Sequence, residues 1–76
     1  MASGYSLKTI RENQDADSSN IGVQLGRVCI ERNIPVLSVS YQLLVTRQTV
    51  YNWFVGSKKP SARLEPAIRA YLTELG

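Results

Sequence analysis

Arg47, Gln48 and Asn52 are the residues of this sequence best equipped for recognition chemistry. A guanidinium offers paired donors that match the two acceptors on a guanine edge. A carboxamide offers a donor beside an acceptor, which matches adenine. If residues 46–54 are helical, these three side chains share one outer face, with Thr49 and Tyr51 flanking them. Thr49 also suits a thymine methyl or a phosphate. Ser57, Lys58 and Lys59 follow between Gly56 and Pro60, a loop whose hydroxyl and ammonium groups suit phosphate oxygens. The chemistry implied is the reading of base edges in the major groove of duplex DNA, which admits one helix.

Charge placement agrees with a polyanionic partner. Of the net +3, residues 46–76 carry all of it: Arg47, Lys58, Lys59, Arg63 and Arg69 against Glu65 and Glu74. Residues 20–45 add one positive charge and residues 1–19 remove one, so the basic half is the C-terminal one. Taken by itself, this asymmetry is equally that of a solvated surface.

Other chemistry finds little to work with. The chain has no histidine and a single cysteine, Cys29, which excludes an internal disulfide and a Cys/His zinc site. No Gly-rich phosphate loop is present, and the only close carboxylates, Asp15 and Asp17, lie in a polar segment. Neither an enzyme nor a cofactor is expected. No apolar run approaches a membrane span, and residues 1–10 lack the apolar stretch of a signal peptide. The setting expected is the cytoplasm, with the nucleoid as the place of action.

The elements that must position the reading face follow from caps and periodicity. Residues 1–19, rich in Ser, Asn and Asp, read as a flexible polar arm, although Tyr5, Leu7 and Ile10 are available to dock on a core. Ser18, Ser19 and Asn20 are N-cap types ahead of a helix with Ile21, Leu25, Val28 and Cys29 on one face, and Asn33 is its expected stop. Pro35 opens a second helix with Val36, Val39, Ser40 and Leu43 inward. Thr46 caps a third, whose inward residues are Val50, Trp53 and Phe54. Gly56 ends it. Ser61 caps a fourth with an apolar stripe of Leu64, Ile68, Tyr71, Leu72 and Leu75, in which Pro66 either removes one hydrogen bond or moves the start later. The expected fold is all-α: a compact domain over 20–76 of four helices, or five.

The run Val39-Ser40-x-x-Leu43-x-Val45-Thr46-Arg47-Gln48-Thr49-Val50-Tyr51-Asn52-Trp53, followed by Gly56-Ser57-Lys58-Lys59-Pro60-Ser61, resembles the lambda-repressor-like (Cro-type, XRE-type) helix-turn-helix of phage repressors and bacterial regulators. The likeness covers Leu25 to Leu72. It implies base contacts from Arg47, Gln48 and Asn52 with Thr49 and Tyr51 beside them, and phosphate contacts from Thr46, Ser57, Lys58 and Lys59. It implies a repressor that binds double-stranded DNA as a homodimer. Three departures stand out. Leu44 occupies the turn position where the family has Gly. Cys29 and Phe54 stand where many members pair Arg with Glu, which implies an apolar contact between them. The chain ends where a fifth helix often follows, which leaves Tyr71, Leu72 and Leu75 as a dimer contact. The competing expectation is a protein-interaction module of the same fold, binding a polymerase, a toxin or another regulator through the arm or the last helix.

Overall fold

The computed structural model describes residues 4–76, and these fold into five helices with no strand among them: α1 Leu7–Asp15, α2 Ile21–Arg32, α3 Val36–Leu43, α4 Arg47–Phe54 and α5 Glu65–Leu75. The four expected helices are α2 to α5. Their boundaries are set by local chemistry. Asn20 caps α2 by accepting from the Gly22 amide at 2.8 Å. Asn33 ends it in the left-handed conformation (φ 60°, ψ 38°), its amide donating back to Cys29 and Ile30 carbonyls. Pro35 stands at the N-cap of α3, and no side chain caps that helix. Thr46 caps α4, its hydroxyl accepting from the Thr49 amide at 3.1 Å. Gly56, at φ 79°, turns the chain out of α4, and a Cβ there would sit 2.9 Å from Ala16 Cβ.

The fifth helix is at the other end from where one was sought. The reading of 1–19 as a flexible arm is corrected for α1, which Ser6 caps at Thr9. The helix is held by polar groups. Asn13, only 2% exposed, donates its carboxamide N–H groups to Val23 O at 3.1 Å and Phe54 O at 2.7 Å. Arg27 on α2 donates to the carbonyls of Asn13, Gln14 and Ala16 at 3.3–3.4 Å, supplying donors and positive charge to the C-terminus of α1. Ahead of α1, Tyr5 is buried, donates its hydroxyl to the Ile34 carbonyl, and lies 6.1 Å from the Phe54 ring, while Gly4 donates to Asn33 Oδ1 at 2.9 Å. Of the other two residues considered for docking, Ile10 is half-buried and Leu7 is exposed. Residues 1–3 of the expected arm lie outside the described residues.

The start of α5 is corrected too. Ser61 does not cap it. Residues 62–64 form a turn, with Leu64 N–H donating to Ser61 O, and the helix begins at Glu65. Pro66 then falls in the first turn, where its missing N–H breaks no helical bond.

One core serves all five elements. Val23, Leu25, Cys29, Val39, Val50, Phe54 and Ile68 are fully buried, with Ile21, Val36, Leu43 and Trp53 beside them. Cys29 and Phe54 belong to the same buried cluster, and burial pushes the Cys29 thiol up to about 11. Tyr71, Leu72 and Leu75 are half-buried against this core. No described helix is long and apolar enough to cross a membrane.

The α3–α4 turn is built on a strained residue. Leu44 has φ 57° and ψ 45° and is 90% exposed, so its side chain contributes little packing. The left-handed conformation costs an L-residue about 1–2 kcal/mol, part of which a glycine loses again as unfolded-chain entropy. Leu44→Gly is therefore expected to raise unfolding free energy by about 0.5–1 kcal/mol, read from urea midpoints at unchanged m-value. An unchanged or lowered midpoint would show that the leucine is unstrained there.

Candidate nucleic-acid interface

Helix α4 owes its two-sided character to period. Val50, Trp53 and Phe54 are buried, which turns Arg47, Gln48 and Tyr51 outward, with Thr49 and Asn52 half-buried at the edges. Of the five residues expected to read bases, three are exposed and two lie at the rim. Thr46, expected at a phosphate, already uses its hydroxyl: it caps the helix and shares a 2.9 Å hydrogen bond with the Thr49 hydroxyl.

A chain of hydrogen bonds runs from the outer face of α4 into the basic loop. Gln48 Nε2 donates to Asn52 Oδ1 at 3.1 Å. The Ser57 hydroxyl lies 3.3 Å from Asn52 O and 3.5 Å from Asn52 Oδ1. The next residue, Lys58, donates its amide to Asn52 O at 3.2 Å and offers its carbonyl to Asn20 Nδ2 at 3.5 Å. The loop is thus tied to the C-terminal turn of α4 on one side and the N-cap of α2 on the other. Pro60, buried, closes it against Gly22. With the backbone held, the Lys58 and Lys59 side chains are left exposed.

The face is electrostatically open. Among the described residues the one ion pair is Arg69–Glu65 at 3.3 Å, an exposed i,i+4 contact away from α4. No carboxylate pairs with Arg47, Lys58 or Lys59. Asp17 feels the loop: its carboxyl is held below its usual range first by hydrogen bonds from Ser19 and, to a smaller degree, by Lys59.

Arg47, Gln48, Tyr51, Asn52, Ser57, Lys58 and Lys59 therefore occur on one helix face and the loop joined to it, as their spacing required. Tyr71, Leu72 and Leu75 are on a different element, α5. Two residues that shape the interface were not singled out for it: Asn20, expected only as a cap, which also holds Lys58, and Asn13, which holds the last turn of α4. Nor is every exposed residue of the helix pair polar: Leu37, Tyr41 and Leu44 lie in line along the outer side of α3 and its C-cap at 43%, 73% and 90% exposure.

What the fold and this face define is a small all-α domain with two short consecutive helices packed together, the second presenting amides and a guanidinium to solvent. Comparison of the chain with protein-family models, with curated proteins and with solved structures finds no match.

Proposed function

We propose that this chain is a sequence-specific double-stranded DNA-binding regulator that lays α4 in the major groove and acts as a repressor by occupying a promoter. The observation that carries this reading is the outer face of α4: Arg47, Gln48 and Asn52 lie at its surface, and Gln48 is hydrogen-bonded through Asn52 to Ser57, in a loop bearing two lysines without an ion pair. Base-edge donors and phosphate-seeking cations on one rigid surface are what groove reading requires. The uncapped N-terminus of α3 adds free amides suited to another phosphate. The domain acts as a homodimer, with recognition helices about 34 Å apart on a two-fold operator. The exposed remainder of Tyr71, Leu72 and Leu75 supplies the contact, and the site of action is the bacterial or phage-infected cytoplasm. No cofactor takes part.

Selection from a random duplex library tests the reading. A two-fold site is expected, bound at least ~10³ tighter than a scrambled duplex. Arg47→Ala should relax one position of each half-site at a cost of about 1–3 kcal/mol, whereas Lys58→Ala should weaken all sequences alike and reduce the salt slope by about one. Weak binding that is equal for both duplexes and lost at moderate salt would leave only nonspecific attraction.

The exposed line of Leu37, Tyr41 and Leu44 favours a second reading, a protein-interaction module on the same fold. Under it, Arg47→Ala changes nothing and Tyr41→Ala abolishes the activity in the cell.

A further inference from the structure

The reading face has an internal order that spacing alone leaves open. Gln48 and Asn52 both carry carboxamides, and either type matches adenine. In the structure they are not equivalent. Asn52 Oδ1 already accepts from Gln48 Nε2 at 3.1 Å, and the Ser57 hydroxyl stands 3.5 Å from the same oxygen. An amide oxygen has two lone pairs, and with one held by Gln48 and the other facing Ser57, Asn52 Oδ1 has none clear for an adenine amino group. Gln48 has the complementary condition. One Nε2 hydrogen goes to Asn52, which leaves one N–H beside a free Oε1 at an exposed position.

On the DNA-reading proposal, we infer that Gln48 is the adenine-reading residue and that Asn52 and Ser57 are positioning residues behind it. One free N–H and one carbonyl oxygen match the N7 acceptor and N6 amino donor of adenine. Guanine presents two acceptors, O6 and N7, and Gln48 has one donor left for them. The bond to Asn52 thus turns an amide of either orientation into one that discriminates A·T from G·C. It also fixes a flexible side chain before the DNA arrives, which lowers the ordering cost of binding. Ser57 extends the device into the loop, so the register of Lys58 on its phosphate and the orientation of Gln48 on its base share one support.

The test uses the full chain and the duplex selected by it, with adenines replaced singly by 7-deaza-adenine, which lacks the N7 acceptor. Replacement at one adenine per half-site is expected to weaken wild-type binding about tenfold, the scale of a bidentate contact. Gln48→Ala, which removes both bonds, should lose at least that factor on the unmodified duplex and be indifferent to the replacement. Asn52→Ala should lower the preference for adenine over guanine at that position severalfold, a ratio read separately from overall affinity. Asn52→Asp keeps an acceptor for Gln48, so the preference returns while affinity falls equally on every duplex. Selectivity, not affinity, separates positioning from general support of the fold. If the wild type selects a site but no adenine responds to 7-deaza replacement, or if Asn52→Ala leaves the preference intact, the assignment is overturned and DNA reading stands. If the wild type selects no sequence at all, the underlying proposal falls first and the assignment falls with it.

Discussion

Asn13→Ala is expected to lower unfolding free energy by about 3 kcal/mol, more than any exposed substitution in this chain. The residue is 2% exposed and sends its two donors to Val23 O in α2 and Phe54 O in α4. Phe54 is the last residue of α4, so its carbonyl has no partner within the helix. Truncation leaves the buried Phe54 carbonyl without a donor, at about 1–3 kcal/mol, takes a second bond from Val23 O, which keeps its helical partner, and opens a cavity besides. Part of that is recovered if water enters, which is why the sum is not the full total. Denaturant melts at constant m-value would measure it, with Gln14→Ala, one residue along on the exposed side, as the neutral control.

Asn13→Asp gives the same prediction a signature in pH. The aspartate has nearly the same shape but, when ionised, only acceptors, aimed at two carbonyl oxygens. Burial and the missing donors both favour its neutral form, so its folded-state pKa rises above the unfolded value of about 4. The sign follows: the variant keeps its stability below about pH 4, where the protonated carboxyl donates to one carbonyl, and loses it as pH rises through the raised folded pKa. A variant less stable at pH 7 than at pH 4, against a wild type without that trend, would confirm that Asn13 acts as a buried donor. Equal loss at both pH values would mean that the site is wet and the hydrogen bonds contribute little.

That residue also marks where sequence reading ran out. Helices α2 to α4 were legible because of their punctuation: Asn20 and Thr46 as caps, Asn33 as a left-handed end, Pro35 as an opening, and apolar residues at helical period behind them. The outer face of α4 was legible for the same reason, since Val50, Trp53 and Phe54 fix which way the rest must point. Helix α1 has a cap in Ser6 but no sustained apolar face behind it. Its one buried residue is an asparagine, and the carbonyls that hold it are 10 and 41 residues away. Arg27, read only as a charge, turns out to close the end of that helix. A segment anchored by polar groups to distant backbone looks like a solvated tail when only its own residues are in view. Ser61 misled in the opposite way: it is a good cap by type, but Pro66 suits the first turn and sets the start later. The division of labour between Gln48 and Asn52 was equally hidden, because two carboxamides four residues apart do not say which one donates.

Gly26→Ala sets two known effects against each other, and their sizes decide the sign. Alanine in a helix interior is worth about 1 kcal/mol over glycine, so on propensity alone the change stabilises α2. The packing says otherwise. A Cβ at Gly26 would lie 2.7 Å from Asn13 Nδ2, 2.9 Å from Phe54 Cγ and 3.0 Å from Phe54 Cα. One turn earlier, a Cβ at Gly22 would lie 2.6 Å from Trp53 Cβ, so the two glycines together form the flat strip on which α4 rests. A flexible side-chain tip can yield at little cost, but the Phe54 backbone moves only if α4 moves. Overpacking of this kind costs about 1–3 kcal/mol, and here it also strains the Asn13 bonds, so the net expectation is a loss of about 2 kcal/mol. Because the displaced element is the proposed reading helix, affinity for the selected duplex should fall as well, even at temperatures where the variant is fully folded. Gly4→Ala, whose new methyl meets nothing closer than 3.9 Å, should change neither quantity. A more stable Gly26→Ala with undiminished binding would mean that α2 and α4 have room to part, and that the register of the reading face does not depend on their close approach.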